Sequence, residues 1–421
     1  NRSARPATAT VPGAVFQHSG IRNKTLFSGI SNTMRVNDDW KFVAATQFMH
    51  TNFENPFITN YERRTERGYG LRTYVTYKKK RVRFDAGGEI STSSTDISNS
   101  INNGGIAGRL TAQDQLYARQ IYAFSKFTWD MTSNLHAEFS VSANDFTFQY
   151  RNIAPVLDAK RSAALDIQIM PNIAISYQLL PNLTIRGGIS RGFSPPTIAE
   201  LRASDAVVNT LLGAEQGYNY EAGLRAQLGP LFFDASIFYF KLNNAIVRRV
   251  NSAEQEFFVN AGGTDQRGFE SALTYILPFD GLLKNGRVNL NYTLNNFAFR
   301  DYKVGTSDFS GNALTGVPQN VGGINTEGNI GRVNYYINFQ YVSGIWLNDS
   351  NLARAKPYQL LEAKLRSILI HDKNIKLEAS VGAENLLDQR YSLGNDLNAV
   401  GGRYYNSAPG RNFYFGLIAT F

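Results

Sequence analysis

The sequence predicts an all-β fold, a transmembrane antiparallel up-and-down β-barrel of about 17 strands. Three observations predict it. Side chains alternate between apolar and polar along many segments, the connections between these segments differ strongly in length, and no run approaches the roughly 18 apolar residues of a membrane helix. Because only helices and closed barrels satisfy every backbone group in lipid, a membrane protein with this sequence has to cross as a barrel.

The alternation is clearest in residues 333–341, where apolar or aromatic side chains occupy the odd positions and Asn, Tyr and Gln the even ones. Residues 83–90, 220–228 and 375–384 repeat the pattern. A soluble β-sandwich would also alternate. However, the predicted strands are about 10–14 residues long, close to the length of a tilted membrane strand. Their polar faces carry charges in mid-strand and their apolar faces end in Tyr, Phe and Trp, as the girdles of barrels do.

The connections sort into a short and a long set, which is typical of bacterial outer-membrane barrels with short periplasmic turns and long external loops. Residues 91–108 are rich in Ser, Thr, Asn and Gly and are predicted to form a mobile surface loop. The predicted long connections are residues 53–66, 94–116, 148–162, 191–217, 251–264, 301–318, 345–357 and 385–409.

An odd number of strands indicates a partial barrel, because single-chain bacterial barrels have even numbers of strands and keep both termini in the periplasm. The predicted strands run from residues 24–36 to residues 411–421, and the last one has to end in the periplasm. The first strand would then begin outside. We therefore expect residues 1–421 to be one partial barrel domain that lacks the first strands of the barrel.

Composition narrows the function classes. The net charge is +9, but the basic residues are scattered singly apart from one run at residues 78–81, which is predicted to be a turn, so no nucleic-acid partner is predicted. The chain has no Cys and four His. No thiol nucleophile is possible, and no His lies in a pattern that suggests a paired acid–base site, so we predict that the protein is not an enzyme. No cofactor and no metal-ligating residues are predicted.

Several motifs follow one another in the second half of the chain. Residues 382–391 contain N-L-L-D-x-x-Y, and P-G-R opens the last strand, which ends on Phe with apolar residues at alternate positions. Further back, G-F-S-P-P-T-I-A-E-L at 192–201 precedes an N-Y-E-A-G run at 219–223. The motif residues are Phe193, Pro196, Glu200, Leu201, Glu215, Asn219, Tyr220, Glu221, Asn260, Gly268, Glu270, Pro318, Asn320, Asn385, Leu386, Asp388, Tyr391, Pro409, Gly410, Arg411 and Phe421.

This series, in this order, resembles the barrel of TonB-dependent receptors from residue 191 to the end, whereas residues 1–190 fit by alternation alone. The resemblance implies a 22-stranded barrel filled by an N-terminal plug, of which the plug and the first strands would be absent here. We favour structural roles for the motif residues, at strand edges and loop junctions.

The resemblance also implies a function. The protein would be an active-transport receptor in the bacterial outer membrane, with a ferric siderophore or ferric citrate as the expected substrate, energised by the TonB complex through the absent N-terminal region. Outer-membrane lipid, the small ferric chelate and the barrel assembly machinery, through the C-terminal strand, would be its other partners. Cobalamin or a small glycan as the substrate, or a passive porin, are the open alternatives.

Cationic and aromatic residues in the predicted loops are the candidate ligand contacts, because guanidinium groups bind anionic chelates. Tyr404 and Tyr405 could stack on an aromatic ligand. The candidate arginines are Arg63, Arg64, Arg151, Arg202, Arg248, Arg354 and Arg403, and further loop arginines are Arg67, Arg161 and Arg249.

Overall fold

A computed structural model describes residues 7, 12–203, 207–250, 256–278, 281, 283–304, 306–372 and 375–421. Nearly all of its regular structure is strand. The bounds are β1 Arg22–Arg35, β2 Trp40–Pro56, β3 Asn60–Lys79, β4 Val82–Asn103, β5 Ile106–Asp130, β6 Leu135–Ala154, β7 Arg161–Ala164, β8 Gln168–Leu180, β9 Leu183–Ser194, helix α1 Ile198–Leu201, β10 Glu215–Leu228, β11 Leu231–Val250, β12 Glu256–Ile276, β13 Leu283–Arg300, β14 Lys303–Val304, β15 Ser307–Asp308, β16 Asn320–Ile330, β17 Val333–Val342, β18 Tyr358–His371, β19 Lys376–Glu384, β20 Ser392–Asn395, a 3₁₀ turn Val400–Gly402, β21 Tyr405–Ser407 and β22 Asn412–Thr420.

Eighteen of these strands belong to one sheet, and β14–β15 and β20–β21 form two small hairpins beside it. The registers are antiparallel between strands that follow one another along the chain, which is the up-and-down order. One sheet strand, β7, has only 4 residues, whereas the shortest of the others have 9. The all-β class and the prediction of about 17 strands are therefore confirmed. Among the described residues, no helix has the length and hydropathy needed to cross a membrane.

The chain divides into two compact units. Unit 1 comprises Asn1–Ile173, Ser190–Gln216 and Ile246–Asn260, and unit 2 comprises Ala174–Ile189, Gly217–Ala245 and Ala261–Phe421. In unit 1, β3 to β6 are 20 to 25 residues long. We call the end of β2 to β6 with turns 57–59 and 104–105 the distal end, and the end with turns 80–81 and 131–134 the proximal end.

Two predicted loops in unit 1 are wrong. Residues 53–66 and 94–116 were predicted to be long connections, but β2 and β3 are separated only by residues 57–59, and β4 and β5 only by residues 104–105. The stretch 91–108 is strand around this tight turn rather than a mobile loop. Its inward-packed side chains include Thr95 and Asn99, which are 2% and 5% exposed. Both faces are mostly polar there, with Ile97 and Ile101 as the apolar exceptions, so alternation fades although the hydrogen-bonded ladder continues.

The distal turns of unit 1 are fastened to each other. The Asn102 Nδ2 donates to the carbonyl oxygens of Gln17 at 2.8 Å and Phe57 at 2.7 Å, and the Gln17 Nε2 donates to the Ile58 carbonyl at 3.0 Å. Gly104 and Gly105 have positive φ angles of 62° and 86°, which allow the two-residue turn between β4 and β5. The tips of two hairpins and the segment before β1 thus form one hydrogen-bonded unit.

The two faces of β2 to β6 differ in chemistry. Near the proximal end, one face carries an uninterrupted row of aromatic side chains, one from each strand, placed side by side by the registers. We call this face the apolar face. The row, named the aromatic row, consists of Trp40, Tyr77, Phe84, Phe127 and Phe139. The rings of Trp40 and Tyr77 lie 4.9 Å apart between centroids.

The apolar face changes further along the strands. The row with Leu71, Ile90 and Ile121 is still largely apolar, and these three side chains are 49%, 39% and 38% exposed. The next two rows, named the boundary rows, mix aromatic, hydroxyl and cationic side chains. They consist of Phe48, Tyr69, Thr92, Arg119 and Thr147, and then of His50, Arg67, Ser94, Tyr117 and Gln149.

The opposite, polar face of β2 to β6 holds its charges in pairs. Lys126 Nζ lies 2.7 Å from the Glu138 carboxylate, and Arg83 Nε lies 2.8 Å from Asp85. Unlike charges on neighbouring strands, as in Lys126–Glu138, or two residues apart on one strand, as in Arg83–Asp85, neutralise each other at little cost on a wet face. The face is therefore polar without a large excess of either sign.

In unit 2, β12, β13, β16, β17, β18, β19 and β22 pair in that order. The last strand, β22, lies against β19, and its Phe413, Phe415 and Leu417 are exposed by 71%, 69% and 57%. Gly382 on β19 leaves room for the Tyr414 ring, because a Cβ there would collide with it. The C-terminal strand thus carries the alternating apolar face that its sequence predicts.

Candidate functional site

Unit 1 carries an insertion between β9 and β10 that starts with the helix α1. Thr197 caps the helix: its Oγ1 accepts from the Glu200 amide at 3.2 Å, and the Glu200 carboxylate accepts from the Thr197 amide at 2.7 Å. This reciprocal capping box is encoded by the T-x-x-E spacing. Glu200 of the predicted motif series therefore stabilises the start of α1.

The helix presents Leu201 to an apolar cluster. Leu201 is fully buried and packs with Phe146, Phe148, Leu212 and Ala118. Because Ala118 on β5 and the two phenylalanines on β6 share the polar face, the insertion covers part of that face with apolar contacts. The free energy of this docking comes mainly from the apolar area that is removed from water.

Next to Leu201, Arg202 forms a buried ion pair with Asp114 on β5. The Arg202 Nε and Nη2 lie 2.9 and 2.7 Å from one carboxylate oxygen of Asp114, and the two side chains are 1% and 3% exposed. Asn152 donates to the other Asp114 oxygen at 3.1 Å. The Asn99 amide, oriented with its oxygen toward Arg202, accepts from Nη1 and Nη2 at 3.1 and 3.0 Å. Arg202 was predicted to be an exposed ligand contact, but it is buried and its donors are engaged.

Two further motif residues hold the base of the insertion. Asn260 accepts from the Gly213 amide at 2.6 Å and donates to the Gly213 carbonyl at 2.9 Å. Glu215 accepts from the Ile246 amide at 2.7 Å. Burial raises the pKa of the Glu215 carboxyl above its usual value, and the nearby Glu200 carboxylate adds to that rise.

The polar face of unit 1 also has a cavity of about 220 Å³. Glu89, Gln120, Tyr122 and Asn144 are among the side chains that line it. The Glu89 carboxylate in this lining lies 3.7 Å from the Arg72 Nε. The lining carries amides, hydroxyls and an acid rather than a cation, so it does not suit an anionic ligand by itself.

In unit 2, three loops meet at Asp349, which is 3% exposed. Its carboxylate accepts from the Tyr302 hydroxyl at 2.7 Å, the Thr315 hydroxyl at 2.6 Å and the Asn398 amide at 3.1 Å. Tyr302 and Thr315 lie in the loop 301–319, and Asn398 lies in the loop 385–411. Asp349 itself lies in the third loop, residues 343–357. We call this arrangement the Asp349 hub. The Asp349 amide also donates to the Asn398 side chain at 3.0 Å.

The loop that contains Asp349 presents Arg354. Leu347 and Ala353 are joined by a 2.8 Å backbone hydrogen bond, and Trp346 and Arg354 are bridged in the same small antiparallel turn. The guanidinium carbon of Arg354 lies 5.2 Å from the Trp346 ring centroid. Arg354 is exposed, and it has no ion-pair partner within 4.0 Å among the described residues. Its planar guanidinium is thus oriented by stacking and open to an anion.

The N-L-L-D-x-x-Y and P-G-R motifs meet in unit 2. The Asp388 carboxylate accepts from the Arg411 amide at 3.0 Å, and the Asn385 side chain closes its own turn through Gln389 at 2.9 Å. Tyr391 stacks on Tyr358 with 4.8 Å between ring centroids. These contacts anchor the base of the loop that precedes β22.

The other candidate ligand contacts are scattered, and several lie in strands rather than loops. Arg63 and Arg64 on β3 pair with Glu54 at 3.4 Å and Glu62 at 2.6 Å, and Arg151 lies on β6. Arg248 on β11 pairs with Glu256. In unit 2, the rings of Tyr404 and Tyr405 are 6.5 Å apart beside Arg403. Of the candidate arginines, Arg354 has the most favourable presentation for an external anion.

Sequence reasoning missed Asp114 and Asp349. Asp349 lies in an Asn/Asp/Ser-rich stretch that predicts a turn but not a buried carboxylate, and Asp114 lies in a segment predicted to be loop. Within the part of the chain that the structure describes, no group of three His, Cys, Asp or Glu is placed to hold a metal ion.

Comparisons with known proteins agree with this architecture. The family model described as "TonB dependent receptor-like, beta-barrel" matches residues 3–386. Among solved structures, the chain resembles the unliganded ferric citrate transporter FecA, with a TM-score of 0.78 and 14% identity over 95% of this chain and 62% of that one. It also resembles the ferric yersiniabactin uptake receptor FyuA from Yersinia pestis (TM-score 0.74, 17% identity, 99% of this chain and 63% of that one) and the copper transporter OprC (0.76, 15%, 95% and 66%).

Proposed function

This chain belongs to the TonB-dependent receptor family through its β-barrel domain, and we propose that it is part of an outer-membrane receptor that imports a small ferric chelate. Proteins of this family are receptors and transporters rather than enzymes. The chain spans 62%, 63% and 66% of the three similar structures, so transport, energy coupling and substrate are proposed for the whole protein.

The dimensions of the apolar face support the placement in a membrane. Eight residues separate Trp40 in the aromatic row from Phe48 in the boundary rows, which is about 27 Å along a strand. A strand tilt of about 40° reduces this to about 21 Å, close to the ~25 Å apolar band of outer-membrane barrels. We infer that this face contacts lipid, that the proximal end of unit 1 is periplasmic and that its distal end is external.

The anionic-chelate proposal rests on Arg354. An exposed guanidinium that is stacked on an indole loses little freedom when it binds, and it can donate two parallel hydrogen bonds to a carboxylate or catecholate. The Asp349 hub fixes the loop that carries it. Arg403, Tyr404 and Tyr405 remain predicted secondary contacts, whereas Arg151, also predicted from the sequence, lies on the face of β6 for which we propose lipid contact. We further propose that TonB energises uptake through a region N-terminal to the barrel, and that the terminal strand, with Phe421, is recognised by the barrel assembly machinery.

The proposal is tested by uptake in cells that lack other ferric-chelate receptors and produce the full-length protein. We expect radioactive iron to enter as ferric citrate or as a ferric siderophore, and entry to stop when TonB is deleted. Uptake of cobalamin, a small glycan or copper in place of iron would reject the ferric substrate. Uptake that persists without TonB would indicate a passive pore and reject active transport.

A substitution then tests Arg354 itself. R354Q is expected to weaken binding of the ferric chelate about tenfold or more, because a charge-assisted hydrogen-bond pair is lost. R287Q is a matched control, since Arg287 is an exposed arginine of unit 2 that pairs with Glu327 and is not a candidate ligand contact. Equal binding by R354Q and the unchanged protein, measured by equilibrium titration, would remove Arg354 from the site.

A further inference from the structure

The two borders of the apolar face in unit 1 differ in charge. The aromatic row at the proximal border contains no ionisable group except the Tyr77 phenol. The boundary rows at the distal border contain Arg67, Arg119 and His50. Both borders have aromatic side chains, as membrane interfaces do. On the same face, one row beyond the aromatic row, Lys79 pairs with Asp39 at 3.3 Å, whereas Arg67 at the distal border has no ion pair within 4.0 Å among the described residues.

The cations of the boundary rows surround a shallow area of small side chains. Arg67 on β3 and Arg119 on β5 are two strands and one row apart, which corresponds to about 12 Å between their backbones. Between them, β4 contributes Thr92 and Ser94. Long side chains on both sides of two short hydroxyl side chains leave a depression that both guanidinium groups can reach.

These cations retain donors that the protein does not use. Arg67 is exposed and has no ion pair within 4.0 Å among the described residues. The Arg119 Nη2 lies 3.5 Å from Asp145 in the adjoining apolar row, a long contact, while its Nε is buried without a hydrogen-bond partner. One row beyond the boundary rows, the Arg151 Nε is also buried and unsatisfied. The acid nearest to it by register, Asp96, accepts from Gln115 at 2.9 Å.

Donors that the protein leaves without an acceptor at this border can be satisfied by an acceptor from outside the chain. The acceptor has to reach this face at the level where the apolar side chains end. Tyr69 and Tyr117 flank the depression and are 57% and 37% exposed, and Leu71, Ile90 and Ile121 continue below it toward the proximal end. An amphipathic ligand fits this order of rows, with an anionic group at the level of the boundary rows and an apolar part at the level of Leu71, Ile90 and Ile121.

We propose that Arg67, Arg119 and His50, together with Thr92 and Ser94, bind the phosphate of a lipid head group in the membrane leaflet at the distal end. The acyl chains of this lipid contact the apolar rows below, and the tyrosines flank its head group. This inference rests on the membrane placement proposed above. It assigns a phosphate-specific lipid site to the distal border of the apolar face and none to the aromatic row.

Lipid binding by the purified full-length protein tests the site. Native mass spectrometry of detergent-solubilised protein is performed with phosphatidic acid, which has a terminal phosphate, and with phosphatidylcholine, in which choline covers it. We expect preferential binding of phosphatidic acid, reduced about tenfold by R67Q or by R119Q and further by both. R72Q is the matched control, because Arg72 lies on the opposite face of β3 and pairs with Glu89.

Equal binding of the two lipids, or unchanged preference in the double variant, would overturn the inference. So would complete displacement of phosphatidic acid by an equal concentration of inorganic phosphate, because the site would then recognise the free ion. Resistance to trypsin and recovery in the outer-membrane fraction show that the variants are folded. A protein absent from that fraction would instead contradict the proposed membrane placement, and loss of iron uptake with intact lipid preference would contradict only the transport proposal.

Discussion

Unit 1 and unit 2 each build a loop assembly around a buried carboxylate, but they satisfy that carboxylate differently. In unit 1, Asp114 faces one cation, Arg202, whose neighbour Leu201 enters an apolar cluster. In unit 2, Asp349 accepts hydrogen bonds from Tyr302, Thr315 and Asn398. The first assembly has a single cation opposite its carboxylate, beside the apolar cluster that docks the insertion, and the second joins three loops through several neutral donors.

This difference determines how much free energy each assembly loses when one partner of its carboxylate is removed. A buried ion pair that loses one partner leaves an uncompensated charge, and the whole penalty falls on a single contact. A carboxylate with several neutral donors loses one hydrogen bond at a time, and each costs less. We therefore expect the unit 1 insertion to detach as a whole, and the unit 2 loops to loosen together but partially.

The largest effect is expected for R202M. Removal of the guanidinium leaves the Asp114 carboxylate buried without its cation, so docking of the insertion should weaken by about 3–5 kcal/mol. Hydrogen exchange of the amides of residues 197–203 measures this change. The double variant D114L/R202M removes both charges and should recover most of the protection. If R202M alone leaves exchange unchanged, the ion pair does not hold the insertion.

A smaller effect is expected for D349N, about 1–3 kcal/mol, because Asn keeps one acceptor oxygen but turns an NH₂ group toward the donors. The amides near Tyr302, Thr315 and Asn398 should lose protection in parallel, since all three loops share the hub. E327Q serves as the control, because Glu327 lies on β16 and pairs with Arg287, outside the three loops of the hub. Loss of protection confined to residues 343–357 would show that the loops are independent.

The smallest effect is expected for E215Q, at the base of the unit 1 insertion. Burial raises the folded-state pKa of Glu215, so its contribution to stability is complete below the ordinary value of 4.5 and is lost as pH rises through the folded-state pKa. Gln keeps the acceptor for the Ile246 amide and does not ionise. Thermal unfolding should therefore show E215Q as the more stable protein at pH 7, with the difference vanishing near pH 4. A difference that is independent of pH would contradict this assignment.

The sequence was sufficient for the sheet, because alternation follows directly from two faces in different environments. The strand number and the order of motifs around Glu200, Asn260 and Asp388 required no tertiary information. Alternation failed in residues 91–103, where both faces of β4 are mostly polar although the ladder continues. The Asp114–Arg202 pair spans 88 residues and depends on how an insertion folds back, which no local pattern reports. The T-x-x-E spacing at Thr197, by contrast, was a usable signal for α1.

With the distal end placed outside, as proposed above, the tight turn at Gly104 and Gly105 has a practical consequence for molecules that approach this end. Because Asn102 and Gln17 hydrogen-bond this tip to its neighbour, an antibody would bind a rigid turn rather than a flexible loop. Binding to a rigid epitope costs less ordering entropy. The same stiffness limits peptide display: a foreign sequence between the two glycines would disrupt the hydrogen bonds of Gly104 and Gly105 to Gln17 and Asn102, and a graft into residues 91–103 would interrupt the ladder on both sides of β4.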